Sequence, residues 1–337
     1  MGNIVINAKK ILLIGHFSDS PHVYTYATSF LKVLLKLGHD VKTFDYRRKA
    51  PFLLDYSLKR LSKKFNPDLI FFVKAEKISW HTVRFLKNNS PAILVNFYPD
   101  NPFVFWNSNS NSDVLHSLPF IDYFLIWSEQ LAPIIHSAGA KKVIYFPFAF
   151  DGDMFIGASK NTDTDINLHQ SDVCFVGSWD TSRQRCLEKL LEKMPDLKLA
   201  VWGNRWKENL SASSGLLKFI KGDAVYGADM INVFKSSKIA LNFIRKQNLN
   251  AHNMRTFEIP ASKAFMLTQY TDEQAKHLFQ DGESVECFKN IEELVFKIKF
   301  FLKNEALRND RAEKGFLVAQ KYVLEKQMSD FLKKIGI

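Results

Sequence analysis

The sequence lacks the features of membrane-spanning, exported and disulfide-rich proteins. No apolar run approaches the roughly 20 residues that cross a bilayer. Met1 to Lys10 lack an apolar signal core, so we expect a protein that is not exported and is cytoplasmic or peripheral at the inner face of the membrane. The three cysteines, Cys174, Cys186 and Cys287, lie far apart, which supports neither a zinc site nor a disulfide framework.

Several common catalytic motifs are missing as well. There is no GxGxxG and no P-loop, which disfavours a classical dinucleotide dehydrogenase and a P-loop NTPase. There is no HExxH and no GxSxG elbow either. The pairs Asp151/Asp153 and Asp163/Asp165 could hold a divalent ion against a diphosphate, but both fall in a polar stretch that we interpret as a linker. We therefore expect neither a metal nor another cofactor.

The charge is positive and unevenly distributed. The 337 residues carry a formal net charge of +11, of which residues 1–150 contribute +8, from 18 lysines and arginines against 10 acidic residues. The densest basic stretch consists of Arg47, Arg48, Lys49, Lys59, Arg60, Lys63 and Lys64. Such a stretch is either a solvated face or a surface for anionic lipid, a phosphorylated acceptor or nucleic acid. No nucleic-acid-binding module accompanies it, which disfavours the last of these.

Short apolar runs alternate with helical periodicity in both halves of the chain. In the first half we predict strands at 11–14, 41–44, 69–73, 92–97, 123–127 and 143–146, with Ser128 capping the helix after the fifth. In the second half we predict strands at 173–176, 197–202, 239–244, 265–268 and 283–288, followed by long C-terminal helices. This alternation predicts an α/β protein with two doubly wound, mostly parallel sheets.

The polar stretch 151–170 interrupts the alternation, and we place the domain linker there. We predict one Rossmann-like domain at 1–150, a second at 171–320, and a C-terminal helix at 321–337 that packs back on the first domain. Ligands of open α/β sheets bind beyond the carboxyl ends of the strands, so the loops that follow strands are the places to look for functional residues.

The most informative stretch, residues 253–268, follows a predicted strand and begins a helix. Asn253 is a good N-cap, and the helix N-terminus behind it offers free N–H groups for a phosphate. Arg255 adds a planar fork of donors, and Glu258 can accept hydrogen bonds from the two vicinal hydroxyls of a ribose. A routine cap and an Arg–Glu pair that supports the helix explain these residues equally well.

This stretch resembles the C-terminal domain of GT-B-fold glycosyltransferases, and it looks closest to the CgeB-like (spore-maturation-type) branch. Further segments follow in the same order. These are 172–178 with its Gly177 turn and Arg183 soon after, 223–227 with Tyr226 before the helix that faces the donor base, and 279–283 before a late strand. The resemblance covers roughly residues 170–325.

The resemblance implies two Rossmann-like domains facing a cleft, with a nucleotide-diphosphate sugar held by the second. The donor-binding residues that it implies are Gly177, Arg183, Tyr226, Asn253, Arg255, Glu258 and Lys263. The sequence departs from the family at two positions. Asn250 stands where related retaining families have the first of two paired glutamates, of which Glu258 matches the second. Lys263 stands where glycine is usual, so either the loop is not tight or Lys263 contacts phosphate.

The first half matches the family only in its αβ layout and in the helix that ends at residues 37–41, so its candidates come from the residues themselves. An inverting transferase needs a base to take the proton of the acceptor hydroxyl. The loop after the first strand offers His16, Asp19 and His22, although Asp19 equally fits a helix cap. Asp100, after the fourth strand, is a further candidate base or a turn residue, and Trp106 can stack on a sugar or close the core.

We therefore expect a metal-independent hexosyltransferase-type glycosyltransferase of bacterial cell-surface polysaccharide biosynthesis. Fixed cations would balance the charge on the leaving diphosphate, namely Arg183, Arg185, Arg255 and Lys263. The expected partners are a nucleotide sugar, a glycan or lipid-linked acceptor and, through the basic first domain, an anionic membrane, with no nucleic acid. The alternatives are a sugar-nucleotide epimerase or hydrolase of the same fold, and a non-catalytic nucleotide- or sugar-binding module.

Overall fold

The structure is a computed structural model that describes residues 8–18, 25–104, 112–158 and 171–337. The chain divides into two compact units. The first unit consists of Met1–Pro147, Lys246–Leu249 and Glu325–Ile337, and the second consists of Phe148–Arg245 and Asn250–Leu324.

The first unit is built on a parallel sheet of six described strands. The strands are β1 (Lys10–Gly15), β2 (Asp40–Asp45), β3 (Leu69–Val73), β4 (Ile93–Tyr98), β5 (Tyr123–Ile126) and β6 (Val143–Tyr145). They pair in the order β2-β1-β3-β4-β5-β6. The helices between them are α1 (Tyr26–Lys36), α2 (Pro51–Phe65), α3 (Trp80–Asn89), α4 (Ser112–Ser117) and α5 (Leu131–Ser137).

The central strands of this sheet are apolar on both faces, because helices cover both. Every residue of β3 is buried, as are the four residues of β1 from 11 to 14. Phe30 of α1 packs against Phe71 of β3 and Phe97 of β4, with ring centroids 5.5 Å and 5.1 Å away. Burial of these rings is the main stabilising contribution of this helix–sheet contact.

The second unit repeats the plan with a different strand order. Its strands are β7 (Ser171–Val176), β8 (Leu199–Trp202), β9 (Ile220–Gly222), β10 (Ser237–Asn242), β11 (Met266–Gln269) and β12 (Glu286–Phe288). They form a parallel sheet in the order β12-β11-β10-β7-β8-β9. Its helices are α6 (Gly152–Ala158), α7 (Thr181–Lys193), α8 (Trp206–Asn209), α9 (Gly227–Lys235), α10 (Arg255–Ala261), α11 (Ile291–Lys303) and α12 (Glu305–Ala319).

The final helix, α13 (Leu324–Lys334), lies almost wholly in the first unit. Its Phe331 contacts three aromatic side chains there, with ring centroids 6.2 Å from Phe71, 6.0 Å from Phe146 and 6.3 Å from Tyr123. The first unit is therefore formed by three separate stretches of the sequence.

The two doubly wound parallel sheets confirm the predicted fold class, but several local predictions need correction. Ser128 does not cap α5, which begins at Leu131 after Gln130; the Ser128 side chain is buried instead. The helix α2 is not among the predicted elements, because its apolar residues do not all face the core. The edge strand β9 is also missing from the prediction, since three residues give too short an apolar pattern to detect. The region predicted as a linker contains α6 in its described part.

No helix in the described ranges has both the length and the apolar composition needed to cross a membrane.

Each sheet has one pair of neighbouring strands from which the chain continues toward opposite edges of the sheet. In the first unit this topological switch lies between β1 and β3, and in the second between β7 and β10. Ligands of doubly wound sheets bind at the carboxyl ends of the strands that flank such a switch. The candidate sites are therefore the loops that follow these four strands.

Candidate functional site

Two glycine turns meet at the carboxyl ends of β7 and β8. The Gly177 amide donates to the Trp202 carbonyl at 2.8 Å, and the Gly177 carbonyl accepts from the Trp206 indole N–H at 2.8 Å. Gly203 has φ of +152°, and a Cβ there would clash with the Gly177 carbonyl oxygen. Only glycine fits so close an approach. The predicted Gly177 turn is thus fixed by the neighbouring strand end.

Arg183 lies in the first turn of α7 and reaches back over the end of β7. Its Nη1 donates to the Ser178 carbonyl at 2.8 Å, and its Nη2 donates to the Phe243 carbonyl, just beyond β10, at 3.4 Å. The residue is only 8% exposed, and its buried Nε has no hydrogen-bond partner among the described residues. The guanidinium therefore bridges the two strand ends of the switch with donor capacity left over.

Arg255 and Glu258 lie together at the start of α10. The Arg255 Nε donates to the Val176 carbonyl at 3.1 Å, and its Nη1 forms a short ion pair with Glu258 Oε2. Both side chains are largely buried. This contact is the helix-supporting pair that the sequence left open, and it also holds the Arg255 guanidinium at the end of β7. The Glu258 carboxylate has lone pairs left after this bond. Pairing with Arg255 is therefore compatible with acceptance of hydrogen bonds from ribose hydroxyls.

A third arginine, Arg245, follows β10 and completes a cluster of positive charge. Burial, together with the charges of Arg245 and Arg255, lowers the pKa of Arg183 to about 10, while Asp180 opposes this shift. The Nε of Arg245 is also buried without a partner among the described residues. Arginine remains protonated at neutral pH, so three like charges share this corner of the sheet. Such an arrangement is stabilised by a bound anion.

Asn253 is committed to the turn that precedes α10. Its Oδ1 accepts from the Thr256 amide at 3.2 Å, as a capping side chain does, and its Nδ2 donates to Asn242 Oδ1 at 2.9 Å and to the Phe243 carbonyl at 3.1 Å. Because these bonds tie the loop to the end of β10, Asn253 positions Arg255. The helix itself has only seven residues, so it contributes little macrodipole.

Asn250, where related families have a glutamate, is paired with a carboxylate. Its Nδ2 donates to Asp272 Oδ2 at 2.8 Å, and its Oδ1 accepts from the Asp272 amide at 2.9 Å. Hydrogen bonds from Lys276, Asn250 and Tyr270 lower the pKa of Asp272 to about 2. An ionised carboxylate therefore stands beside Asn250.

The remaining donor candidates are not part of this cluster. Tyr226 is half-buried in the loop after β9, next to Ala224, whose amide donates to Asn204 Oδ1 at 3.0 Å. Lys263 precedes β11 at the opposite, amino-terminal edge of the sheet, where its Nζ lies 3.3 Å from Glu313. Its φ of +61° explains why glycine suits this position, and it contradicts the idea that the loop is not tight. Arg185 is exposed on α7.

In the first unit, His16 is the candidate base whose surroundings the structure describes most fully. Asp19, His22 and Trp106 lie outside the described residues. The His16 Nδ1 lies 3.4 Å from Asp45 Oδ2, at the end of β2. Burial alone would raise the pKa of Asp45, but hydrogen bonds from the Phe17 and Arg47 amides, together with His16, hold it below its usual value. The result is an ionised carboxylate beside the imidazole.

Two acids with charged partners follow the neighbouring strands β3 and β4. Glu76 accepts from the Tyr46 hydroxyl at 2.7 Å and from Arg47 Nη2 at 3.2 Å. Asp100, another predicted base, follows β4 and forms an ion pair at 2.8 Å with Lys74, just after β3. That engagement makes Asp100 less available as a base than His16.

The backbone directly after β3 is strained. Lys74 and Ala75 have φ of +65° and +55°, a conformation that costs non-glycine residues roughly 1–2 kcal/mol each. Strain of this kind persists only where the surrounding structure enforces it, and it concentrates at functional sites. Here it lies beside the switch between β1 and β3.

Cavities are also present away from these strand ends. One of about 630 Å³ lies at the amino-terminal edge of the second sheet and is lined by Ser171, Ser237, Lys263 and Arg308 among others. We place the candidate site at the carboxyl edge instead, because the switch, the glycine turns and the unpartnered guanidinium nitrogens coincide there. Within the described part of the chain, no three His, Cys, Asp or Glu side chains group as a metal site would require.

Arg245 and Asp45 are not among the predicted site residues. Arg245 directly follows the predicted strand 239–244, and Asp45 directly follows the predicted strand 41–44. Ligands of open α/β sheets bind beyond the carboxyl ends of the strands, so the positions of both residues in the sequence indicate them as candidates. Asp45 lies outside the part of the chain that resembles the family. Arg245 lies inside that part but in none of the segments that carry the resemblance, so the resemblance identifies neither residue.

Comparison with known proteins gives the same fold. Residues 183–333, less than half of the chain, match the family described as Glycosyl transferase-like. No curated protein matches the sequence.

Three solved structures illustrate the likeness over the whole chain. Sucrose-phosphate synthase from Thermosynechococcus elongatus has a TM-score of 0.71 at 13% identity, with 97% of this chain and 99% of that one covered. An alpha-glucosyltransferase in complex with UDP-glucose and DNA containing an abasic site has a TM-score of 0.70 at 12% identity, covering 98% and 100%. Anabaena HepE in complex with UDP-glucose has a TM-score of 0.66 at 13% identity, covering 97% and 99%. The chain therefore has the GT-B fold of glycosyltransferase structures, and its residues 183–333 are similar to the Glycosyl transferase-like family.

Proposed function

We propose that the protein is a glycosyltransferase that moves a sugar from a nucleotide-diphosphate donor to a hydroxyl of a glycan, a glycan precursor or a lipid-linked acceptor. The observation that carries this proposal is the cluster of Arg183, Arg245 and Arg255 at the switch of the second sheet. The matching family and the sugar-nucleotide complexes among the similar structures support the same reaction class.

The arginine cluster suits the leaving group of such a reaction. When the bond between sugar and diphosphate breaks, negative charge accumulates on the diphosphate, and fixed donors stabilise that charge. Arg183 and Arg255 are already held against backbone carbonyls, so little side-chain freedom is lost when the anion binds. Their unused N–H groups are directed donors of the kind that bind phosphate oxygens.

We assign the ribose of the donor to Glu258. Its carboxylate is oriented by Arg255 and can accept hydrogen bonds from two adjacent hydroxyls. Asp272, held by Asn250, supplies a second carboxylate in the same unit and is our candidate for contact with the transferred sugar.

We assign deprotonation of the acceptor hydroxyl to His16. A carboxylate beside Nδ1 favours the tautomer in which Nδ1 carries the proton, which leaves Nε2 as the basic nitrogen. Asp45 thus acts by positioning His16.

Binding and turnover test the proposal separately. The purified chain is mixed with a panel of nucleoside diphosphates and their sugar conjugates, and thermal melting, calorimetric binding and release of nucleoside diphosphate are measured with and without EDTA. We expect one base to raise the melting temperature, and we expect turnover that EDTA leaves unchanged. The proposal fails if no member of the panel binds.

Variants separate the rival functions. Arg255→Ala and Glu258→Ala are expected to lower donor affinity and turnover by tenfold or more, since each loses a hydrogen bond to a charged group (roughly 1.5–3 kcal/mol). Arg185→Ala, exposed on α7, is the matched control and is expected to change neither. Turnover of the donor that no acceptor accelerates would indicate an epimerase or hydrolase, and binding without any turnover would indicate a binding module.

A further inference from the structure

The outward side of α2 presents apolar residues to solvent. Phe52 is 83% exposed, Tyr56 is 64% exposed and Leu53 is 46% exposed. The inward side carries the buried residues Leu54, Leu58, Ser62 and Phe65. At 3.6 residues per turn, positions 52, 53 and 56 share the side opposite this buried stripe. Single exposed apolar residues are ordinary, but three neighbouring ones on a single helix face are not.

The same outward side becomes strongly basic along the helix. Arg60, Lys63 and Lys64 are exposed on it, and within the described residues none of the three has an ion-pair partner. We call this set the outer face of α2, consisting of Phe52, Leu53, Tyr56, Arg60, Lys63 and Lys64. No acidic residue lies on this face; Asp55 is the sole acid of the helix and is half-buried at its side.

A groove beside the outer face continues both properties. It lies between α2 and α3, has a volume of about 520 Å³, and is lined by Tyr56, Lys59, Arg60, Lys63, Phe85 and Asn89 among others. Lys59 Nζ lies 5.0 Å from the centroid of the partly exposed Phe85 ring. A groove lined by both aromatic and basic side chains suits a phosphorylated headgroup that is attached to an acyl chain.

We propose that the outer face of α2 is a docking surface for an anionic phospholipid bilayer. Its basic half is complementary in charge to the lipid surface, and its aromatic half enters the boundary between headgroups and acyl chains. A helix that lies in this boundary needs both halves, because charge attracts it and apolar area retains it. The proposal does not depend on the sugar transfer proposed above.

Sedimentation with vesicles tests this surface in the full chain. Vesicles of phosphatidylcholine alone are compared with vesicles that contain phosphatidylglycerol, at low and high salt. We expect binding only to the anionic vesicles, with loss at high salt as the charges are screened. The triple variant Arg60→Ala, Lys63→Ala, Lys64→Ala is expected to weaken binding by on the order of 100-fold.

The apolar half has its own variant and control. Phe52→Ser is expected to weaken vesicle binding by about tenfold, because a ring that would be buried in the interface is lost. Phe296→Ser is the matched control, since Phe296 is 66% exposed on α11 of the second unit. The melting temperature of each variant is measured to check that it folds.

Three results would overturn the proposal. One is no binding to anionic vesicles, and another is equal weakening by Phe52→Ser and Phe296→Ser. The third is full retention of binding by Phe52→Ser, together with equal affinity for a soluble polyanion such as heparin, which would show a plain electrostatic surface.

Discussion

At the scale of a single side chain, Arg183 combines deep burial with unused hydrogen-bond donors. Its guanidinium is almost fully buried, yet two other guanidinium groups help to lower its pKa and one of its nitrogens has no described partner. Glu258 pairs with Arg255 and Asp180 attracts Arg183, but three guanidinium groups beside these two carboxylates leave an excess of positive charge, whose burial is unfavourable. The cluster is therefore expected to be less stable empty than occupied.

The first prediction concerns Arg245, which adds repulsion without a described hydrogen bond. Arg245→Ala is expected to leave the melting temperature nearly unchanged, because the change removes both the repulsion with Arg183 and the attraction to Asp180. The same change is expected to weaken nucleoside diphosphate binding by tenfold or more, as a charge-assisted bond is lost. Calorimetry and thermal melting measure the two effects, with Arg185→Ala as control. Unchanged affinity would remove Arg245 from the site.

The second prediction concerns Lys263, which has a positive φ at the edge of the sheet remote from the cluster. Lys263→Gly is expected to change the free energy of unfolding by less than about 1 kcal/mol, because relief of left-handed strain is offset by two losses. These are the exposed pair with Glu313 and the contact of Lys263 Nζ with the Phe316 ring, whose centroid is 4.5 Å away. Lys314→Gly, inside α12, is the control and is expected to cost about 1 kcal/mol. Weaker donor binding in Lys263→Gly would instead support the phosphate contact that the resemblance implied.

At the scale of elements, the contact between two strand-end turns provides the third prediction. A Cβ at Gly203 would meet the Gly177 oxygen, which belongs to backbone that cannot move without the turn. Gly203→Ala is expected to destabilise the protein by about 3 kcal/mol or more, given the clash and the positive φ. Gly215→Ala is the control, because the position that its Cβ would take has no neighbouring atom within 4 Å. Urea unfolding of both variants measures the difference.

The fourth prediction concerns the link between the ends of β2 and β3. Burial alone would raise the pKa of Glu76, but the hydrogen bonds from Tyr46 and Arg47 and the charge of Lys74 bring it below its usual value. A carboxylate with a lowered folded pKa stabilises the fold above its unfolded pKa, and this contribution disappears as the pH falls through the folded value. Glu76→Gln is expected to cost roughly 1–2 kcal/mol at neutral pH and to flatten the acid side of the stability profile.

Unfolding free energies between about pH 3 and pH 7 check this behaviour, since the linkage acts in that range. The exposed Glu283→Gln is the control, and its profile is expected to parallel that of the unchanged protein. If the unfolding free energy of Glu76→Gln fell with pH as steeply as that of the unchanged protein, the charge of the carboxylate would contribute nothing to stability.

Some elements of the fold can be predicted from the sequence and others cannot. The predicted bounds of β3 match the observed ones, because a buried parallel strand is a continuous apolar run. The helix α2 is not predicted, because Phe52, Leu53 and Tyr56 are apolar but face solvent, and they obscure the helical spacing of its buried residues. Lys263 is close to Arg255 in sequence, but the helix between them advances about 1.5 Å per residue and carries Lys263 to the other edge of the sheet.

At the scale of the whole molecule, the fifth prediction concerns α13. Phe331 is buried among aromatic side chains of the first unit. Phe331→Ala is expected to cost about 3–5 kcal/mol, as large-to-small changes of buried aromatics do. Hydrogen exchange is expected to accelerate in β3 and β6 and to stay unchanged in β10. The exposed Lys333→Ala is the control, and an effect spread equally over both sheets would contradict the assignment of α13 to the first unit.

The division of the chain can be read from the sequence only in outline. Alternating strands and helices imply two sheets, and the polar stretch implies a boundary between them. The assignment of Lys246–Leu249 to the first unit has no such signal, because it depends on contacts between residues far apart in the chain. The sequence identifies the arginine cluster in part, through Arg183 and Arg255, since the resemblance supplies those two positions alone.

The return of α13 to the first unit has a consequence for biosynthesis. While the ribosome translates the chain, all six strands of the second sheet emerge before Phe331 does. The second unit can therefore mature while the first still exposes the rings of Phe71 and Phe146 to water. A released chain that ends at Leu324 would contain the whole second unit but only a first unit without α13. Such a chain is expected to aggregate through the uncovered aromatic rings of the first unit.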